Sequence, residues 1–503
     1  MKILLTTLNS KYVHSNLALK YLFASAEKSN CTIEIQEFTI NNEDDHIYIE
    51  LMRKNYDIIC FSCYIWNVER TLYLAENLKK ARPNTKILLG GPEVSFDVKS
   101  LMSEYKFIDF IIVGEGEGPF SELIGVLASA DSEFNKIRGL AYREDGEIYI
   151  NPAAPPLHFE SVPFPYLSLV SEDDKILYYE SSRGCPYQCS YCLSSIDRKV
   201  RALPIERVKS DLSYFIYKRV RQVKFIDRTF NWNMKRCLEI MKYLKLRDNG
   251  VTNFHFELCG DLIDDDMMML LSDARPGLFQ FEIGVQSTNE KALRSCNRSS
   301  NFQKLAENVK RLMKMGNIHL HLDLIAGLPF EDYLSFRNSF NDVYSLKVHQ
   351  LQLGFLKLIK GAPIREQIEE HAYVYRSKAP YEVISNKYMS ADDLIRLKKI
   401  EKLLNLYYNR GGFMRTLAFA ETLAETPFDF FEELADFYYS NGFQLKSHGK
   451  EDLYRIFYLY ADWKGRSNLR IKEKIKELLF EDMKVTLNPD AIKKFLRKGW
   501  EIQ

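Results

Sequence analysis

Apolar residues come in short blocks along the first 130 positions. Lys2–Thr6 (KILLT), Ile33–Phe38, Asp57–Tyr64 (DIICFSCY), Lys86–Gly90 (KILLG) and Asp109–Val113 (DFIIV) have strand character. Leu17–Ala26, Val68–Lys80, Asp97–Glu104 and Pro119–Leu127 between them have helical spacing. Near-continuous apolar strands alternating with helices predict a parallel sheet covered on both faces. Residues 1–130 are therefore expected to form a doubly wound, Rossmann-like α/β domain.

The pattern then changes. IRGLAYREDGEIYI predicts a hairpin around Asp145-Gly146, and NPAAPPLHFESVPFPY, with five prolines, reads as an extended surface linker. Residues 131–170 are assigned to this hairpin and linker. From about residue 171 the strand-then-helix rhythm returns. Ile176–Ser181, Val223–Asp227, Phe254–Leu258, Phe279–Val285, Ile318–Ile325 and Gln350–Leu356 are six candidate strands. Six consecutive β/α units predict a parallel partial barrel over 171–365, with its chemistry at the C-terminal strand ends. Beyond about residue 370 no further strands are expected. Ala391–Tyr408, Pro427–Tyr438, Lys450–Lys464 and Arg470–Phe480 predict a helical domain over 366–503, its many Tyr and Phe residues serving as packing.

Composition narrows the class. The 503 residues are 46% apolar and 27% charged, as in ordinary globular domains. Lys plus Arg (69) balances Asp plus Glu (68), so the charge of +1 gives no reason to expect nucleic acid. MKILLTTLNS is not a signal peptide, and no run of about 18 apolar residues predicts a membrane span. Nine cysteines are sparse for a disulfide scaffold, which with the missing export signal points to the reducing cytoplasm.

Three of those cysteines carry the chemistry. Cys185, Cys189 and Cys192 lie in SRGCPYQCSYC, directly after the first barrel strand. Thiolates this close select zinc or an iron–sulfur cluster. Structural zinc needs a fourth protein ligand, and none is near in sequence, so a zinc knuckle would have to recruit one from afar. A cubane held by three thiolates leaves one iron open for a ligand. Cys60 and Cys63 alternate to opposite faces of one strand and make a poor chelate.

C-x3-C-x2-C with aromatic Tyr191 before its last cysteine, after the first strand of a β/α barrel, resembles the radical S-adenosylmethionine (SAM) enzymes. The resemblance covers about residues 175–360. It implies a 4Fe–4S cluster on Cys185, Cys189 and Cys192, with SAM chelated at the open iron and cleaved to a 5′-deoxyadenosyl radical. It further implies SAM contacts at Tyr191, Asp227, Glu257, Glu282, Gln286, Ser287 and Gly327, the glutamates and Gln286-Ser287 projecting from strand ends. The family's Gly-Gly-Glu is absent, and Asp227 and Arg228 are its nearest substitutes. Arg294 and Arg298 are equally read as carboxylate partners or solvent-facing groups.

In the N-terminal domain, Ser62-Cys-Tyr-Ile-Trp-Asn67, Gly90-Gly-Pro-Glu93 and Gly114-Glu-Gly-Glu117 all fall at strand ends, with the polar loop Asn9–Asn16. Strand ends on one carboxyl edge form the ligand crevice of a doubly wound sheet. LLGGPE followed by DFIIVGEGE resembles the cobalamin-binding domain joined to many radical SAM enzymes, the class B methyltransferases among them. That resemblance implies cobalamin contacts at Ser62, Tyr64, Trp66, Asn67, Gly90, Gly91, Pro92, Glu93, Gly114, Glu115, Gly116 and Glu117. The Asp-x-His-x-x-Gly motif is absent, so no histidine ligand to cobalt is expected, and His14 is read as a loop residue.

Together the resemblances imply a cobalamin-dependent radical SAM methyltransferase. It would methylate an unactivated carbon of an unknown substrate through methylcobalamin and draw electrons from flavodoxin or ferredoxin. A rearrangement or oxidation with the same cofactors, a degenerate cobalamin domain, and a binding protein without turnover stay open. A methylthiotransferase is disfavoured, because Cys31, Cys60 and Cys63 have the wrong spacing for a second cluster.

Overall fold

The structure is a computed structural model that describes residues 1–27, 31–129, 133–167, 174–465 and 468–500. The segment boundaries expected at 130/131 and 170/171 lie outside the described residues.

The first sheet contains β1 (Lys2–Asn9), β2 (Thr32–Thr39), β3 (Ile58–Ser62), β4 (Lys86–Gly90), β5 (Phe110–Ile112), β6 (Leu140–Glu144) and β7 (Glu147–Ile150). Its order is β2-β1-β3-β4-β5-β6-β7, with the first five strands parallel. The chain reverses direction across the sheet between β1 and β3, which is where a doubly wound fold opens its crevice. The predicted hairpin is present as β6 and β7, but it adds antiparallel to β5 and extends this sheet. The helix Asp44–Met52 escaped the apolar pattern because only Ile47 and Leu51 of its nine residues are buried. Cys60 and Cys63 belong to the two cores on opposite sides of the sheet, as alternation required.

The second sheet contains β8 (Leu177–Tyr179), then, past a two-residue ribbon of β9 (Ser182–Arg183) and β10 (Arg201–Ala202), β11 (Gln222–Phe225), β12 (Asn253–Leu258), β13 (Phe279–Gln286), β14 (His319–Ala326) and β15 (Gln350–Phe355). The six main strands are parallel, in the order β8-β11-β12-β13-β14-β15, consistent with a partial barrel. Each strand alternates. Phe254, Phe256, Phe279, Phe281, Leu320 and Leu322 bury fully in the helix-covered core. Lys224, His255, Glu257, Glu282, His321 and Asp323 occupy the other face and meet each other across the strands. A closed barrel fills its interior with apolar layers; this lumen is polar.

The C-terminal part is mostly helical, with one correction. Two short strands, β16 (Val374–Tyr375) and β17 (Val383–Ser385), precede the helices. Helix Ala391–Leu403 runs into a π-turn over Leu404–Asn409. Asn409 from that turn accepts from Leu351 N–H at 2.9 Å and donates to Leu351 C=O at 2.8 Å. It thereby satisfies part of β15, the sheet's edge strand. The aromatic residues pack as expected: Phe340, Tyr344, Phe428 and Phe431 interlock edge to face between the barrel and these helices. No described helix is long and apolar enough to cross a membrane.

Candidate functional site

The loop after β8 carries the three cysteines, and its path is set by backbone constraints. Gly184 has φ +91°, and a Cβ there would sit 2.6 Å from Lys199 C=O, so only glycine fits. Cys185 N–H then bonds Asp197 C=O at 2.9 Å, and Cys192 N–H bonds Cys189 C=O at 3.0 Å. Ser190 N–H reaches Cys296 C=O, and Ile364 N–H reaches Ser190 C=O, both at 2.9 Å. Cys185 and Cys189 are buried and Cys192 is partly so, and all are free thiols. Burial, with the two neighbouring thiols adding to it, pushes the Cys185 thiol up. Such a group ionises readily only against a positive centre.

Three free thiols converge in one short loop, with Thr229 and Arg298 beside Cys185 and Cys189, a donor set that fits a 4Fe–4S group.

Side chains from distant strands surround the loop. Thr229 Oγ1 lies 3.7 Å from Cys185 Sγ. Arg298 donates to Cys189 Sγ at 3.7 Å and to Tyr191 Oη at 3.2 Å, and a further contact binds it to Gly284 C=O. Of the two arginines left open by sequence, Arg298 is half-buried against a cysteine. Arg294 is exposed and pairs with Glu290.

Several expected SAM contacts have other partners. The buried Asp227 carboxylate accepts from Ser181 N–H (2.8 Å), Ser181 Oγ and Ser182 Oγ (both 2.6 Å). It braces the entry to the cysteine loop. Ser287 is fully buried against Glu331 and Ser339. Gly327 C=O accepts from Asn386 Nδ2 at 2.9 Å and Tyr373 Oη at 3.3 Å. Glu257 stands near the end of β12, but Glu282 is in the middle of β13 and not at its end, where Lys224 donates to it at 2.9 Å. Burial opposes its ionisation, yet His255 and Lys224 hold its carboxyl down at about 2. Gln286 ends β13 with φ +71° and a buried Oε1 without a hydrogen-bond partner.

The crevice of the first sheet shows a similar split. Gly91 has φ +107°, and a Cβ would lie 2.5 Å from Cys63 C=O, so the Gly90-Gly91-Pro92 turn requires glycine. Tyr64 and Trp66 stack at 4.5 Å, and Trp66, still exposed, donates to Leu8 C=O. Asn67 is buried and ties β1 to β3 through Thr7, Leu8 and Ser62. Gly114 has φ +84°, with open space where a side chain would be. Gly116 packs against Leu22.

The glutamates of these motifs are engaged across the chain. Glu93 is buried against Tyr381 and Lys360. Glu115 pairs with Arg201 at 2.8 Å and Arg183 at 3.3 Å, and Glu117 pairs with Arg183 at 2.5 Å. Burial opposes ionisation of Glu115, but Arg201, the Leu157 N–H and Arg183 hold it below its ordinary value. Arg183 is two residues before Cys185. Its guanidinium lies over Phe159 and Tyr21, 4.6 and 5.3 Å from the ring centroids. The Gly-Glu-Gly-Glu segment therefore couples the first sheet to the cysteine loop. His14 also joins the two sheets, through Tyr178 Oη at 2.6 Å and a bridge to Ile176.

A cavity of about 290 Å³ beside β2, lined by Asn9, Glu37 and His46 among others, touches none of the cysteines.

Fold and site together define a protein of two large α/β sheets, with a three-thiol loop after the first barrel strand that Arg183 ties to the Gly-Glu-Gly-Glu segment of the other sheet. Comparison with known proteins agrees with that class. Residues 3–124 match the B12 binding domain, 179–343 match the radical SAM superfamily, and 369–502 match a protein family of unknown function, DUF4080. The chain is 27% identical to the cobalamin-dependent radical SAM methyltransferase TokK of Streptomyces tokunonensis, over 63% of this chain and 49% of TokK. It is 26% identical to the uncharacterized methyltransferase PH0819 of Pyrococcus horikoshii, over 67% of this chain and 74% of that protein. The chain thus spans about half the length of TokK. Among solved structures, the cobalamin-dependent SAM radical enzyme OxsB with aqua-cobalamin bound superposes with a TM-score of 0.67 at 15% identity. The match covers 99% of this chain and 83% of OxsB, and it establishes the shared fold. The chain joins a B12-binding domain to a radical SAM domain and ends in a DUF4080 domain.

Proposed function

We propose that this protein is a cobalamin-dependent radical SAM methyltransferase that acts on an unactivated carbon of its substrate. The observation that carries the proposal is the Cys185–Cys189–Cys192 loop, joined through Arg183 to Glu115 and Glu117 of the B12-binding domain. The ion pairs bring the glycine-lined crevice of one domain and the thiol loop of the other to a common boundary. TokK, which this chain resembles over 63% of its length, is named a cobalamin-dependent radical SAM methyltransferase.

In this reading, residues 1–130 hold cobalamin, 131–170 connect, 171–365 hold cluster and SAM, and 366–503 close the barrel edge. The cysteines bind the 4Fe–4S cluster, and the bound cofactors supply radical generation and methyl transfer. Tyr191, Glu257, Gln286 and the Gly327 backbone line the SAM side, while Asp227 and Ser287 support them from behind. Gly90, Gly91, Pro92 and Gly114 let backbone approach the corrin. The Tyr64–Trp66 stack offers it a flat apolar face, and Ser62, Asn67 and Gly116 shape the loops. Glu93, Glu115 and Glu117 tie the segments together through Tyr381, Lys360, Arg201 and Arg183. A low-potential reductant of the flavodoxin or ferredoxin class and a reducing cytoplasm fit this chemistry.

Two experiments test the proposal. Replacing all three cysteines by Ala abolishes the brown cluster absorbance; retention of that spectrum refutes the ligand assignment. With methyl-labelled SAM, reduced holoenzyme places label in product. Formation of 5′-deoxyadenosine with no methylated product supports rearrangement or oxidation instead.

A further inference from the structure

The barrel lumen holds a second donor set, away from the cysteines. Glu282 on β13 and His321 and Asp323 on β14 present ligand atoms that all lie within 4.8 Å of one another. His255 on β12 joins them, its Nε2 3.2 Å from a Glu282 oxygen. We propose that Glu282, His321 and Asp323, with His255 beside them, bind one divalent transition-metal cation.

Three observations carry this. First, His321 Nε2 lies 3.0 Å from Asp323 Oδ1 and His255 Nε2 lies 3.2 Å from Glu282, yet none of His321 Nε2, Asp323 Oδ1 and His255 Nε2 makes an aligned hydrogen bond. Second, the 3.0 Å between His321 Nε2 and Asp323 Oδ1 suits two ligands of a metal better than two acceptors of an ammonium group. Two ligands at about 2.1 Å from one cation and at right angles lie about 3.0 Å apart. Acceptors around an ammonium nitrogen at about 2.8 Å would stand roughly 4.6 Å apart. Third, both histidines are only 7% exposed, so the unpaired atoms cannot turn to solvent.

Charge agrees. Glu257, Glu282 and Asp323 lie around the half-buried Lys224, which is 2.9 Å from Glu282 and 3.6 Å from Glu257. A dication together with Lys224 would balance the three carboxylates. Arg228, at the rim, is exposed. A mixed imidazole and carboxylate set suits zinc, manganese or iron(II) over calcium or copper(I).

The assignment is independent of the methyltransferase reading, and so is its test. Full-length protein is reconstituted anaerobically with its cluster, stripped of loose metal by chelator, and titrated calorimetrically with Zn2+ and, separately, Mn2+. Wild type should bind about one equivalent of at least one of them, and His321→Ala and Asp323→Asn should each weaken binding by about tenfold or more. Cluster iron and absorbance should be unchanged in both. If His321→Ala fails to fold by circular dichroism, Glu282→Gln with Asp323→Asn supplies the comparison. Wild type that binds neither metal, or variants that bind as tightly as wild type, overturn the site.

Discussion

Replacing Asp227 by Ala separates a structural brace from a cofactor ligand. Asp227 is fully buried and accepts three hydrogen bonds from Ser181 and Ser182, at the point where β8 gives way to the cysteine loop. Each buried donor left unsatisfied costs about 1–3 kcal/mol. The two hydroxyls can rotate toward other acceptors, whereas the Ser181 N–H cannot. Burial also pushes the Asp227 carboxyl up, so its removal relieves some desolvation. The net cost is therefore at the low end, about 2 kcal/mol, a drop in melting temperature of roughly 4–8 °C for a domain of this size. Differential scanning fluorimetry of anaerobically reconstituted protein measures the shift, and iron per chain measures the loop. Both should fall together. A variant that melts within about 1 °C of wild type and keeps full iron, but no longer binds SAM, would show that Asp227 is a ligand after all.

Other tests follow from the same geometry. Arg298→Leu removes the guanidinium donor from Cys189, so the cluster midpoint potential should become more negative in spectroelectrochemistry; an unchanged potential denies the contact any tuning role. Gly91→Ala forces a Cβ against Cys63 C=O and should abolish hydroxocobalamin retention after desalting, whereas Gly118→Ala, with open space, should not. Glu331, buried with Ser287 and Ser339, is pushed up to about 7 by burial. The folded chain thus keeps a proton that the unfolded chain loses near 4.5, and stability falls as pH rises from about 4.5 through 7, by about 3 kcal/mol in total. Glu331→Gln should flatten that slope in melts compared at pH 5 and 8; an identical slope removes Glu331 as its source.

The motifs were legible to different depths. The cysteine loop could be read because Cys185, Cys189 and Cys192 lie close in the chain and one short loop must bring them together. The strands could be read because burial on both faces leaves continuous apolar runs. The helix Asp44–Met52 was hidden because it buries too little to show a period. Arg298 was ambiguous because its contact with Cys189 spans 109 positions. The lumen residues were partly legible: FHFEL and IHLHLDLI show polar alternation, but nothing local says that β12, β13 and β14 aim those groups at one point.

The sequence by itself determined the two sheets, the helical tail and the grouping of three cysteines in one loop, since each depends on local periodicity or on spacing within a single loop. Only the tertiary structure decided the fate of individual charges. Glu115 and Glu117 became inter-sheet partners of Arg183, Asp227 became a brace, and Glu282 dropped into the lumen beside His255 and His321. The physical reason is that a buried charge must find its counter-group wherever the fold places one, and that partner lies tens of residues away in the chain.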